Sequence, residues 1–179
     1  MTGLPGSGKS HLARALAHVL QADVLDRDAI RNAIFPERDL DYSAEQNELA
    51  SQVTYRVAEY ILSRNPRRIL ILDGRPFSRH EQIEEVKRLA ERVGHSFCVI
   101  YCWAPDDIVR RRLEQDIQIA QNAAANRTME KYLRIKQNFE PLQVPHLSIN
   151  TDQPTENIVR QVLDYLKTCD PGLQMTIKR

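Results

Sequence analysis

The stretch Gly3-Leu4-Pro5-Gly6-Ser7-Gly8-Lys9-Ser10 has the spacing G-x-x-x-x-G-K-S. These residue types at that spacing describe a cradle for phosphate. Glycine has no Cβ, so successive backbone N–H groups can turn inward around an anion with no side chain in the way. The helix expected next aims the positive end of its dipole at the same point. Lys9 would reach the outer phosphates of a nucleotide as a mobile charge, and the Ser10 hydroxyl would serve Mg²⁺. The residues that follow agree, because Leu12, Leu16, Val19 and Leu20 fall at helical spacing within 11–20.

A cradle of this kind is fed by a buried β-strand at the centre of a parallel sheet. Only Met1 and Thr2 precede Gly3. The expectation is a fold in which the strand before the loop is missing, its two neighbours are left unpaired and a slot stands open in the core. Met1 then reads as an internal methionine, with roughly five to eight apolar residues belonging upstream.

The 179 residues, 42% of them hydrophobic, suit one domain with a substantial core. A net charge of +1 excludes the overall basic field of a general nucleic-acid binder. No apolar run approaches a membrane span and no signal-peptide pattern is visible, so the expected location is the cytoplasm. Cys98, Cys102 and Cys169 form no C-x-x-C pair. The first two lie in an apolar run and read as buried, reduced thiols. The histidines show no metal-ligand spacing on one helix face.

Strand-like and helix-like stretches alternate, which predicts one α/β domain on a parallel sheet flanked by helices. Residues 22–25 read as a short strand ending at Asp26-Arg27-Asp28, and a helical turn opens at 28–31. Ser43 and Gln46 form a capping-box pattern. The helix they start carries Leu49, Val53, Val57 and Ile61 as its apolar stripe and stops before Pro66. Ile69-Leu70-Ile71-Leu72-Asp73 is an apolar run ending in a carboxylate, the pattern of a buried parallel strand whose carboxyl end is where ligands bind. A helix over about 79–93 closes at Gly94. A strand over 96–103 and a helix from Pro105 through Leu113 follow. Residues 118–127 are polar and alanine-rich, 129–139 resume helical spacing, and 147–149 form a last short strand. A helix with Ile158, Val162, Leu163 and Leu166 ends the domain at about 168, and 169–179 read as a tail.

Laid together, these pieces resemble the small P-loop kinases, the group that includes polynucleotide 5′-kinases, zeta-toxin-type sugar-nucleotide kinases and gluconate- and adenylate-type kinases. The resemblance is carried by GLPGSGKS at 3–10, DAIR at 28–31, ILILDG at 69–74, RRRLEQD at 110–116 and INTDQP at 149–154. It implies the P-loop NTPase fold, ATP and Mg²⁺ as cofactors, and a helical lid over about 110–138. The activity it implies is transfer of the γ-phosphate of ATP to a hydroxyl of a small molecule or a nucleic-acid 5′ end. An ATP-binding module without transfer is the alternative class. A GTPase is excluded because no N-K-x-D stretch for guanine is present.

By the same resemblance, Gly3, Pro5, Gly6, Ser7, Gly8, Lys9, Ser10 and His11 would hold the phosphates. Asn150, Thr151, Asp152 and Pro154 would lie near the adenine. Ser10 and Asp73 would serve Mg²⁺, Asp73 through water. The implied catalytic residues are Lys9, Asp28, Arg31 and Arg112. Asp28 would accept the proton of the acceptor hydroxyl, with Asp26 as the alternative, and Arg31 would bind the acceptor or the transferring phosphate. Arg75 or Arg79 would grip the acceptor. Arg110, Arg111 and Arg112 begin the lid and cannot all face the nucleotide, since consecutive helical residues point about 100° apart. The family pattern places a second arginine four residues after the first. Asp116 stands at that interval from Arg112, which leaves Arg127 as a further candidate beside Arg112.

Overall fold

The computed structural model describes residues 1–119 and 128–172, without the side chains of 117–119. In chain order the elements are α1 (Lys9–Leu20), β1 (Asp23–Asp26), α2 (Arg27–Ile34), a 3₁₀ turn (Glu37–Asp39), α3 (Ala44–Arg64) and β2 (Leu70–Asp73). They continue with α4 (His80–Val93), β3 (Val99–Trp103), α5 (Asp106–Ile119), α6 (Met129–Gln137), β4 (His146–Asn150) and α7 (Thr155–Cys169).

β1 pairs in parallel with β2, and β3 in parallel with β4. Met1–Gly3 lies between these halves. Thr2 bridges to Tyr101 in parallel fashion, Met1 donates to the Leu72 carbonyl and Gly3 N–H to the Pro76 carbonyl. Below this stub β2 and β3 do not pair with one another. A cavity of about 740 Å³ stands there instead, lined from both strands by Leu70, Leu72 and Ile100, from the helices by Leu16 and Ile83, and by Phe77 of the turn before α4. β2 and β3 thus have no full strand between them, and a slot of the kind expected from the sequence stands open.

Strand alternation sorts the core into two layers. Ile71, Ile100, Cys102 and Ile149 pack with Leu12 and Leu16 of α1 and Ile158 and Val162 of α7. On the opposite face Leu70, Leu72 and Val99 meet Tyr55 and Ala58 of α3 and Ile83, Val86 and Leu89 of α4. A smaller cluster joins Leu4 of the glycine-rich loop to Val109 and Leu113 of α5 and Tyr132 of α6. Gly94, at φ 70°, ends α4 as the sequence implies.

Two readings change. The stripe Leu49, Val53 and Val57 is exposed, at 44%, 37% and 37%. The buried face of α3 is Gln46, Ala50, Ser51, Thr54, Tyr55 and Ala58. Small residues let α3 lie close to α2, and the hydroxyls bury without penalty because Ser51 and Thr54 donate to the carbonyls of Asn47 and Ala50. Ser43 caps α3 by accepting from Gln46 N–H, but the Gln46 amide reaches back past Ser43 to the N–H groups of Asp41 and Tyr42. At the other end, α7 runs to Cys169, one residue past the expected domain edge. Of the polar segment expected over 118–127, residues 120–127 and with them Arg127 lie outside the described residues.

Candidate active site

α1 begins directly after Gly8, whose φ of 78° is one that L side chains rarely adopt. A Cβ there would also lie 3.0 Å from Thr151 Oγ1 and 3.2 Å from Arg112 Nη1. No side chain caps α1, and Leu12 N–H bonds the Gly8 carbonyl at 3.0 Å. The N–H groups of the first turn therefore face the loop, where an anion can take them. Lys9 folds across the loop, its Nζ 3.3 Å from the Leu4 carbonyl. Ser7 is buried, and its Oγ has no hydrogen-bond partner.

The outer wall of the loop is braced from the far end of the sheet. Thr151 Oγ1 donates to the Ser7 carbonyl at 2.8 Å and accepts from Arg112 Nη1 at 2.8 Å. Arg112 also donates to the carbonyls of Thr151 and Gly6. The Arg112 guanidinium, expected at the transferring phosphoryl, is here bonded to the loop and to Thr151. Arg110 and Arg111 are exposed. Asn150 accepts from Asp152 N–H at 2.9 Å in a local turn, and the Asp152 side chain stands in solvent. His11, also exposed, sits 3.2 Å from the Thr155 hydroxyl.

Asp73 ends β2 and is 3% exposed, and its Oδ1 has no hydrogen-bond partner. The buried Met1 ammonium lies close by. Burial lowers its pKa, while Asp73 pulls it back up. Burial likewise pushes the neighbouring Cys102 thiol up to about 11. The oxygens of Asp73 and Ser10 are hard ligands, and a buried carboxylate oxygen left without a partner suits a hard cation that keeps much of its own water. These residues fit Mg²⁺ held jointly with a nucleotide. Among the described residues no group of three or more His, Cys, Asp or Glu side chains could cage a metal.

On the other side of Gly74 the short α2 is set by Asp26, whose carboxylate accepts from the N–H groups of Asp28 and Ala29. Asp26 is therefore committed to capping, and Asp28 projects from the first turn. Asp28 Oδ1 pairs with Arg27 Nη2 at 3.1 Å and Arg31 Nη1 at 3.0 Å. Arg31, Arg27 and Arg75 are 6%, 9% and 9% exposed. Arg27 donates twice to the Gly74 carbonyl, and burial lowers its pKa against the pull of Asp28. Arg75 pairs with Glu48 at 3.0 Å and donates to the Tyr55 hydroxyl at 2.9 Å. Arg79 is exposed at the start of α4, so of those two arginines only Arg75 joins the cluster. Arg27 was not singled out in the sequence. The signal for it was its i,i+4 spacing to Arg31, which puts both on one face of α2.

The family model described as "AAA domain" matches residues 1–142. The chain belongs to that family. This AAA-domain chain is 28% identical over 172 residues to the adenylyl-sulfate kinase of Myxococcus xanthus, covering 93% of this chain and 89% of that one. It is 28% identical over 180 residues to the adenylyl-sulfate kinase of Penicillium chrysogenum, covering 94% and 82%. Its fold matches that of the Mycobacterium tuberculosis APS kinase CysC, solved in complex with AMPPNP and APS, with a TM-score of 0.69 at 21% identity over 93% of this chain and 94% of that one. The fold is therefore that of the P-loop kinases, and the AAA-domain chain is a P-loop kinase-like NTPase. No helix among the described residues is long and apolar enough to cross a membrane.

Proposed function

We propose that the protein is an ATP-dependent kinase that moves the γ-phosphoryl group of ATP to a hydroxyl of an acceptor held beside α2. The observation that carries this reading is Asp28, a carboxylate clamped between Arg27 and Arg31 at the same sheet edge as the phosphate loop and Asp73. The adenylyl-sulfate kinases among its relatives support it.

In this reading the N–H groups at the start of α1 and the Lys9 ammonium bind the phosphates. Ser10 and Asp73 would hold Mg²⁺, which would draw charge from the phosphate oxygens. Asp28 accepts the proton of the acceptor hydroxyl as its oxygen bonds to phosphorus and the bond to ADP breaks. Arg31 lies against the acceptor and the moving phosphoryl. Arg112 and Thr151 keep the loop in shape, so that the donors are already aimed when charge develops. Cytoplasmic location, with ATP at hand and Cys98, Cys102 and Cys169 as free thiols, belongs to the same reading.

Steady ATP consumption with Mg²⁺ tests it, against a panel of adenylyl sulfate, nucleosides, sugars, sugar nucleotides and 5′-hydroxyl oligonucleotides. Stimulation by one acceptor above background hydrolysis is the expected result, and adenylyl sulfate is the first to try. ATP binding with no stimulation by any of them would favour a binding module instead.

A further inference from the structure

Asn47, on the first turn of α3, has a place in the site that its chemistry alone does not announce. Its Oδ1 accepts from Arg27 Nη1 and from Arg31 Nη1, each at 2.7 Å. Its Nδ2 donates to the Tyr42 carbonyl at 3.1 Å, which fixes which way the amide points. Tyr42 sits at φ 57°, a strained backbone for this residue, and its ring lies 4.5 Å under the Arg31 guanidinium. Two buried guanidiniums are thus gathered on one neutral oxygen, with Asp28 as the carboxylate between them. Arg75 and the half-buried Lys131 add to the positive charge around this pair. Arg31 Nε is buried with no partner, a donor whose desolvation is normally repaid by an acceptor.

We propose that Asn47 is a positioning residue that sets Arg27 and Arg31 as an oxyanion-binding edge, and that the acceptor carries a phosphate or sulfate group seated there. The proposal rests on the kinase reading above. A carboxylate in place of Asn47 would hold the same arginines but cancel their charge, so the neutral amide is what leaves the edge able to bind an anion. Neutral sugars and nucleosides lack the group this edge takes.

The test uses inorganic sulfate as the probe, by calorimetry at constant ionic strength, with the phosphate loop saturated by ADP and Mg²⁺. Wild-type protein is expected to bind one sulfate, displaced by the acceptor that stimulates ATP consumption. Asn47→Ala should weaken sulfate binding about tenfold or more, the loss expected when hydrogen bonds to charged groups are removed. Asn47→Asp should melt at or above the wild-type temperature and yet bind sulfate no better than Asn47→Ala. ADP binding should be the same in all three. Sulfate binding by Asn47→Asp equal to wild type, or no sulfate binding by wild type, overturns the proposal, as does sulfate that the stimulating acceptor does not displace. Failure to bind ADP at all would strike the kinase reading instead.

Discussion

Asp26 and Asp73 stand directly opposite one another in the parallel register of β1 and β2. They face the same sheet edge and serve different ends. Asp26 spends its carboxylate on the N–H groups of α2, while Asp73 keeps one buried oxygen without a partner beside the phosphate loop. Gly74 is squeezed between them, at φ 82° and so close to Asp26 and to the start of α2 that a side chain has no room. One carboxylate caps α2, and the other is buried at the end of β2.

Asp73→Asn should therefore separate metal from nucleotide. The expected result is binding of ADP with Mg²⁺ weakened about tenfold, the scale of one charge-assisted contact, with metal-free ADP binding unchanged. Calorimetry with and without Mg²⁺ checks it, and equal losses under both conditions would remove Asp73 from the metal.

Asp26→Ala and Asp28→Asn should differ in kind. Loss of the Asp26 cap should lower stability by about 1 kcal/mol, read from urea melts. Asp28→Asn should leave ADP binding intact and slow phosphoryl transfer roughly a hundredfold or more, the range for a lost general base. Wild-type transfer by Asp28→Asn would dismiss it from that role.

Thr151→Val keeps the shape of a buried side chain and removes the hydroxyl that joins Ser7 to Arg112. A loop that loses this brace should bind nucleotide about fivefold more weakly, in line with about 1 kcal/mol for a net hydrogen bond. Titration with a fluorescent ADP analogue reads this directly.

The docking of α6 should depend on pH. Asp106, at the start of α5, accepts from Lys136 Nζ and the Tyr132 hydroxyl, and these bonds hold its pKa below the usual carboxylate range. A depressed carboxylate contributes above its unfolded pKa of about 4, and that contribution is lost as pH falls through the lower folded value. Lys136 is raised by the same contact, so its share is present below the ordinary lysine range and fades only as pH rises past it. Protection of the α6 amides, taken relative to their intrinsic exchange rate at each pH, should therefore be greatest at neutral pH and fall in acid. The effect should shrink in high salt, because the ion pair is exposed. Asp106→Asn should abolish the acid dependence.

Much of this was legible in the residues. GLPGSGKS placed the loop because few chemistries need glycine, lysine and serine at those intervals. The apolar run ending at Asp73 placed the strand edge. What was not legible depended on contacts distant in sequence. Arg112 looked like a lid arginine until Thr151, 39 residues later, engaged it. The α3 stripe misled because Leu49, Val53 and Val57 have the right spacing but the wrong face. The face that packs on α2 is built of small and hydroxylated residues, which carry little hydrophobic signal. Arg27 read as part of a strand end, and only folding reveals that Gly74 and Asn47 receive it.

The most direct test of the central claim is the fate of the γ-phosphate, followed by ³¹P NMR during ATP turnover with Mg²⁺ and the stimulating acceptor. The account predicts a new phosphate-ester resonance growing in step with ADP, and its loss in Asp28→Asn. Appearance of inorganic phosphate alone, at the same rate with and without acceptor, would contradict it.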